Sequence, residues 1–171
     1  YGAKYWDPTR NNYQQVTQVK PGQGFWLNVG ITEWGATQTF TLSSSNPASI
    51  VGEAPWSGTQ TVTQSIPLLR GWNMIGNPFV YPMYWGQALV SYKTTQGWQT
   101  VTLDAALKSQ LLSATLFSYN PDKLGYDTTS ARDALLDPWK GYWVYVYQPI
   151  NLVLRAPTVP GGDVTTNPGG Q

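Results

Sequence analysis

One short pattern occurs twice in this chain of 171 residues, once near each end. The first copy spans residues 6–29 and the second spans residues 119–146. Each copy has an aromatic residue before an Asp-Pro or Asn-Pro turn, a tyrosine five residues after that proline, and a Gly-aromatic-Trp triplet that opens an apolar strand. The matched residues are Trp6, Pro8, Tyr13, Gly24, Phe25 and Trp26 in one copy, and Tyr119, Pro121, Tyr126, Gly141, Tyr142 and Trp143 in the other. Repetition is a property of architecture, so the chain is predicted to contain two related β units.

Short runs of Val, Thr, Trp and Tyr that alternate with small polar residues favour strands throughout the chain. The predicted strands cover residues 14–19, 24–29, 37–42, 59–66, 72–75, 91–93, 97–102, 115–119, 142–147 and 150–154. Asp104 is placed to cap one short helix over 105–112. The expected fold is therefore all-β, an antiparallel β-sandwich or small barrel built from two related sub-units, with one short helix near 105–112.

Three segments divide the chain. Residues 1–57 contain a partial first unit, residues 58–156 a complete second unit, and residues 157–171 a Pro/Gly-rich tail whose composition is typical of a linker. The boundary is placed in the Ser-, Pro- and Gly-rich stretch 43–57. Because the chain opens at Tyr1 without an initiating Met, we expect it to derive from something longer.

Composition excludes several functional classes. Charged residues make up 11% of the chain and the net charge is +1, so no basic footprint for nucleic acid exists. The chain has no Cys and no His, which excludes Ser-His-Asp and Cys-His sites and removes the commonest metal ligand. The sequence contains no run of about 18 apolar residues, so no membrane-spanning helix is predicted. No cofactor motif is present, and the expected partners are neutral.

The nine carboxylates do not form a recognisable catalytic pair, and most precede proline or lie in turns, where they bond to the backbone. We therefore expect no enzymatic activity. A calcium site at Asp122, Asp127, Asp133 and Asp137 is the alternative to turn stabilisation, but their spacing does not match an EF-hand loop.

The segment Gly71-Trp72-Asn73-Met74-Ile75-Gly76-Asn77-Pro78 resembles the Gly-Trp-Asn-x-Ile-Gly-Asn-Pro strand of a repeat module of secreted bacterial proteins. In that module a tryptophan follows the Asn-Pro turn, as Trp85 does here, and a Pro-x-x-Gly-aromatic-Trp strand closes the unit. Residues 65–156 match one whole unit, and residues 1–45 match the second half of another. The resemblance implies a β accessory module of cell-surface proteins or of glycoside hydrolases, located outside the cell or at its surface. It implies no catalytic residues, and it predicts Trp72 and Trp85 to be core residues.

Alternation along the two closing strands predicts the candidate surface. Phe25, Leu27 and Val29, like Tyr142, Val144 and Val146, form the expected core face. The opposite face then carries an aromatic stripe for stacking on sugars or for anchoring a protein partner, unless both faces are covered inside a sandwich. The stripe residues are Trp26, Trp143, Tyr145 and Tyr147. Three further tryptophans in loops or at strand starts, each either a binding residue or a plug over the end of the sandwich, are Trp34, Trp56 and Trp98.

Two functions remain open. The first is a non-catalytic secreted structural module, a cell-surface or extracellular filament subunit that assembles with copies of itself or with adjacent domains of a longer chain. The incomplete first unit and the low charge favour it, because an open strand edge accepts a neighbour's strand. The second is a carbohydrate-binding module of a multidomain extracellular glycoside hydrolase, which the aromatic stripe favours.

Overall fold

The computed structural model describes residues 2–28, 63–79, 82–130 and 134–155. These ranges contain thirteen strands, a 3-10 turn over Trp85–Gln87 and one α-helix. The strands are β1 (Gly2–Asp7), β2 (Asn12–Gln15), β3 (Trp26–Asn28), β4 (Thr63–Leu68), β5 (Gly71–Gly76), β6 (Met83–Tyr84), β7 (Leu89–Thr94), β8 (Gly97–Thr102), β9 (Leu112–Asn120), β10 (Gly125–Thr129), β11 (Leu135–Leu136), β12 (Gly141–Val146) and β13 (Ile150–Arg155). The helix α1 spans Leu103–Lys108.

All strand pairs in the described ranges are antiparallel, as predicted. Two four-stranded sheets have the orders β10-β9-β12-β5 and β4-β13-β7-β8. A three-stranded sheet, β2-β1-β3, is built from the first repeat copy, and β11 pairs with β6. The sheets are not closed into a barrel, so the sandwich is the architecture that applies.

One hydrophobic cluster draws on both four-stranded sheets and on α1. Ile75, Val144 and Val146 come from one sheet, and Val90 and Leu152 come from the other; all five are fully buried. Along β12 and β13 every second residue is buried, which is the period of a strand with one face in the core. Burial of apolar surface between the two sheets is therefore the main source of stability.

The two sequence copies form the same supersecondary unit. In the first, β1 and β2 form a hairpin in which Trp6 pairs with Tyr13; in the second, β9 and β10 pair Tyr119 with Tyr126. The closing strands also keep one register: Lys4 pairs with Trp26 on β3, and Phe117 pairs with Trp143 on β12. The predicted repeat is thus a repeat of strand order and register, in which Trp26 corresponds to Trp143.

Turn chemistry explains why both copies form this hairpin. The Asp7 carboxylate accepts the backbone N–H of Thr9 at 2.9 Å, and the Asn120 amide oxygen accepts that of Asp122 at 3.0 Å. Such side-chain bonds to the backbone two residues on favour a tight turn. Three residues after each proline, Asn11 and Leu124 adopt positive φ of 48° and 50°.

Some predicted boundaries were wrong. The helix begins at Leu103 and ends at Lys108, because the Thr102 hydroxyl, not Asp104, accepts the backbone N–H of Ala105 at 3.3 Å. Leu112, expected in the helix, is the first residue of β9. Strands β1, β6, β10 and β11 were not predicted. The strand predicted over 37–42, the boundary stretch 43–57 and the tail 157–171 lie outside the described residues.

Candidate functional site

The candidate surface is the face of the sheet β10-β9-β12-β5 that points away from the core. Tyr142, Val144 and Val146 point into the core as predicted, with exposures of 4%, 0% and 0%. The intervening Trp143 and Tyr145 are half-buried on the opposite face, and Tyr147 just beyond the strand is 50% exposed. The predicted stripe therefore lies on one face of the molecule, with exposure that increases from Trp143 to Tyr147.

The hairpin of the first repeat covers the inner end of this stripe. The ring of Trp6 lies 5.8 Å from that of Trp143, and the ring of Tyr13 lies 6.4 Å from it, both in edge-to-face contact. Trp6 and Tyr13 also contact each other at 5.2 Å. The rings of Trp6 and Tyr13 therefore cover part of the half-buried Trp143.

A turn of the first repeat also pairs with the second. Gln23 forms an antiparallel bridge with Ile75 on the edge of β5 that β12 does not use. Gly24 N–H donates to the Met74 carbonyl at 3.2 Å, and Gly76 N–H donates to the Gly22 carbonyl at 2.8 Å. Strand β5 is thus held by the second repeat on one edge and by the first repeat on the other.

Close packing around this turn explains why positions 22 and 24 are glycine. A Cβ on Gly24 would lie 2.8 Å from the Ile75 carbonyl oxygen, and a Cβ on Gly22 would clash with the side chain of Ile66 on β4. Gly22 also has a φ of +77°, which favours glycine. The turn of the first repeat approaches β5 at Gly24 and β4 at Gly22 closely only because these positions carry no side chain.

A second contact between the repeats involves Trp26, whose ring lies 5.1 Å from that of Tyr119. Tyr119 in turn contacts Tyr126 at 5.7 Å. Burial raises the pKa of Tyr126, while a hydrogen bond from the Trp143 side chain opposes the rise. Trp26 therefore faces the aromatic surface as predicted, but Leu27, expected in the core, is 42% exposed. No second sheet covers it within the described ranges.

The outer end of the surface is formed by Trp72, Tyr145 and Tyr147. The ring of Tyr145 lies 5.2 Å from the rings of both neighbours. The prediction of Trp72 as a core residue was wrong, since it is 41% exposed. Alternation from buried Ile75 places Trp72 on the outer face, and this signal was present in the sequence. Trp85 is in the core as predicted, at 1% exposure.

Polar residues of the Gly-Trp-Asn-x-Ile-Gly-Asn-Pro segment support this surface from below. The buried Asn73 amide accepts from Leu69 N at 3.1 Å and donates to the carbonyls of Leu69 and Gly71 at 2.7 and 2.9 Å. The Asn77 amide donates to the Leu136 carbonyl at 2.7 Å. Both asparagines thus bond to backbone at the two ends of β5, which fixes the strand that carries Trp72.

Tyr142 anchors the loop that precedes β12. Its hydroxyl accepts the backbone N–H of Asp137 at 2.7 Å and lies 3.2 Å from the Leu135 carbonyl, to which it donates. Burial raises the pKa of Tyr142 to about 12. The neutral hydroxyl is therefore the form that holds the loop, and with it the start of the aromatic strand.

Two carboxylates in the described ranges, those of Asp7 and Asp127, accept hydrogen bonds that hold turns. The hydrogen bond from Thr9 holds the pKa of Asp7 below its usual value. Bonds from Lys123 and Asn120, both at 2.7 Å, hold the pKa of Asp127 below its usual value. Of the four aspartates weighed for calcium, Asp133 lies outside the described residues, and no group of three possible metal ligands is found within them.

The remaining candidate tryptophans do not join the stripe. Trp98 is 62% exposed, but it lies on β8 at the edge of the other four-stranded sheet. Trp34 and Trp56 lie outside the described residues. In the described ranges, no helix has the length and apolar character that a bilayer crossing requires.

The described rings meet edge to face, with interplanar angles between 65° and 80°. Edge-to-face contact is an arrangement that aromatic pairs prefer, so these rings stabilise one another within the chain. Comparison of the chain with protein-family models, with curated proteins and with solved structures found no match.

Proposed function

We propose that this chain is a non-catalytic structural module that functions outside the cell or at its surface, where its repeat units associate with further copies. The observation that carries the proposal is the contact of Trp6 and Tyr13 with Trp143. It is an association between two repeat units through aromatic side chains, made within one chain.

The exposed end of the same surface supports association beyond the chain. Trp72 and Tyr147 keep 41% and 50% of their surface exposed beside the covered residues. Aromatic side chains of this kind are typical anchors of protein interfaces. The low content of charged residues, 11%, reduces repulsion between copies.

Sedimentation velocity over a concentration series, with negative-stain electron microscopy of the same samples, tests this function. We expect concentration-dependent assembly, which Tyr147→Ala weakens by about three- to tenfold in dissociation constant, the effect of losing one aromatic contact. Tyr84→Ala is the matched control, because Tyr84 is also 50% exposed but lies on β6. A strictly monomeric chain, or equal effects of the two variants, would contradict the proposal.

A second candidate function is the binding of a neutral polysaccharide. A groove of about 390 Å³ borders Tyr147 and is lined by Leu107, Gln110, Leu112, Ser113, Ala114 and Thr115. This volume is within the range of small-ligand sites, and the lining combines an aromatic ring with uncharged polar groups. Such a lining matches a sugar, which has an apolar C–H face and hydroxyl groups.

Affinity electrophoresis in gels that contain soluble polysaccharides tests the second function. Retardation that Tyr147→Ala abolishes and Tyr84→Ala preserves would favour sugar binding over assembly. Unchanged mobility across a panel of β-glucans, xylans and mannans would exclude it for those polymers. The two candidate functions thus use one pair of variants and give different readouts.

A further inference from the structure

Two residues of the second repeat are highly exposed in a backbone conformation that does not suit their side chains. Leu124 has a φ of 50° and Trp139 a φ of 62°, in the left-handed region that favours Gly and Asn. They are also the two most exposed large apolar side chains in the described ranges, at 81% and 87%. Burial therefore does not offset the cost of either conformation.

The first repeat carries residues that suit this conformation at both corresponding positions. Leu124 corresponds to Asn11, since each lies two residues before the tyrosine of its hairpin, and Asn11 has a φ of 48°. Trp139 corresponds to Gly22, since each follows the proline of a Pro-x-x-Gly turn, and Gly22 has a φ of 77°. The unit thus folds with Asn and Gly at these positions, so the fold alone does not account for the leucine and the tryptophan.

Leu124 and Trp139 lie at one end of the sheet β10-β9-β12-β5. The register of β12 with β9, continued beyond the start of β12, brings the turn that contains Trp139 beside the turn that joins β9 to β10. Besides the hydrogen bonds from Lys123 and Asn120, the charge of Lys140 lowers the pKa of an aspartate on β10, which agrees with this placement. We call Leu124 and Trp139 the head pair.

The turn that corresponds to the Trp139 turn makes the contact between the units in the first repeat. There the Gly22 carbonyl accepts the Gly76 N–H at 2.8 Å. A Cβ on Gly22 would clash with the Ile66 side chain, so a turn with Trp139 in this place cannot dock as closely. The second repeat therefore presents an exposed indole ring where the first repeat presents backbone to its neighbour.

A surface that suits an aromatic anchor lies at the other end of β12. Trp72, Tyr145 and Tyr147, here called the tail surface, form one group of contacting rings. This surface is continuous with the interface between the repeats, because Tyr145 lies two residues from Trp143 on the same face and Trp143 contacts Trp6. Within the chain, this aromatic face thus already receives an aromatic side chain from another unit.

From these observations we infer that the head pair of one copy docks on the tail surface of a second copy, with Trp139 as the anchor. This inference rests on the proposed structural function and names the contact that it uses. The head and the tail are different surfaces at opposite ends of one strand. The contact is therefore heterologous, and it adds copies head to tail into a filament or a ring rather than a closed two-fold dimer.

Trp139→Gly and Leu124→Asn test the head pair, because each introduces the residue that the first repeat carries at that position. We expect unchanged or higher unfolding temperatures. In sedimentation velocity we expect at least about tenfold weaker association for Trp139→Gly and a smaller loss for Leu124→Asn. Trp98→Ala is the matched control and should leave association unchanged, because it removes an exposed tryptophan from the other four-stranded sheet.

A mixing experiment tests the head-to-tail direction. Trp139→Gly keeps the tail surface intact, and Tyr147→Ala keeps the head pair intact. At the lowest concentration at which the unmodified chain associates, each variant alone should sediment as a monomer, and their equimolar mixture should form dimers. A head-to-head contact would instead leave Tyr147→Ala fully associated.

Equal association of Trp139→Gly and Trp98→Ala, or a mixture that stays monomeric, would overturn the head-to-tail contact. A lower unfolding temperature of Trp139→Gly would also overturn it, because the ring would then pack within its own chain. So would unchanged self-association combined with lost retardation by polysaccharides or lost binding to phosphatidylcholine vesicles, which would assign the head pair to a sugar or a lipid.

These failures are distinguishable from failure of the proposed function. If Tyr147→Ala weakens association and Trp139→Gly does not, the structural function stands and the head contact is wrong. If the unmodified chain is monomeric at every concentration, both are wrong.

Discussion

The indole rings of Trp6 and Trp143 meet edge to face, with centroids 5.8 Å apart and planes inclined at 70°. Trp6 lies in the hairpin of the first repeat, and Trp143 lies in the closing strand of the second. Trp143 corresponds to Trp26 of the first repeat. The ring of Trp26, in the closing strand of the first repeat, in turn contacts the ring of Tyr119, in the hairpin of the second. The two units therefore hold each other through reciprocal aromatic contacts.

A double-mutant cycle on Trp6→Ala and Trp143→Ala measures this contact. We expect a coupling free energy of about 0.5–1.5 kcal/mol in urea unfolding, the range for aromatic pairs. The control cycle pairs Trp6→Ala with Trp98→Ala, because Trp98 lies in the other four-stranded sheet. The two changes in unfolding free energy should then be additive to within about 0.5 kcal/mol. Equal coupling in both cycles would refute a direct contact.

Gly24→Ala should separate the repeats, because its Cβ would lie 2.8 Å from the Ile75 carbonyl oxygen, which is backbone. We expect a loss of about 1–3 kcal/mol in unfolding free energy and faster hydrogen exchange over residues 2–28. Gly141→Ala is the matched control at the corresponding position of the second repeat, where a Cβ meets nothing within 4 Å. A greater loss for Gly141→Ala would contradict the proposed packing.

Leu124→Asn should stabilise the hairpin of β9 and β10. Leu124 has a φ of +50° and is 81% exposed, so it adopts a left-handed conformation without gaining burial. Its counterpart in the first repeat is Asn11, which tolerates this conformation better. We expect a gain of about 0.5–1 kcal/mol in thermal or urea unfolding, and a comparable loss for Asn11→Leu. A loss on Leu124→Asn would show that the leucine makes a contact that offsets its strain.

Tyr142→Phe should lower stability by about 1–2 kcal/mol at neutral pH, because the Asp137 N–H and the Leu135 carbonyl lose their partner. The pKa of Tyr142 is raised from 10.0 to about 12, so the folded state holds this proton more tightly than the unfolded chain. That contribution is complete below pH 10 and is lost as the pH rises to 12.

The pH dependence separates this effect from packing. We expect the stability of the unmodified chain to fall toward that of Tyr142→Phe between pH 10 and 12, by about 1–2 kcal/mol. Below pH 9 the difference between the two proteins should stay constant, which is the internal control. A constant difference up to pH 12 would mean that the hydroxyl does not titrate in the folded state as described.

Predictions based on local chemistry succeeded where a few neighbouring residues decide the outcome. The Asp-Pro and Asn-Pro turns and the repeated unit were predicted, but the hairpins that they form were not, since β1 and β10 were missed. Alternation along β12 identified Tyr142, Val144 and Val146 as core residues. The helix start was wrong by two residues, because Thr102 and Asp104 both suit a cap and the preceding strand decides between them.

The sequence by itself determined the all-β class, the repeated unit and which face of β12 is aromatic, since turns and two-residue periodicity are local properties of the chain. Only the tertiary structure decided which aromatic residues are covered. The first repeat lies over Trp143 and leaves Trp72 and Tyr147 exposed, and its turn meets β5 where Gly22 and Gly24 allow backbone contact. That outcome depends on how two distant segments pack: alternation along a strand tells which residues share a face, but not which part of that face a distant segment covers.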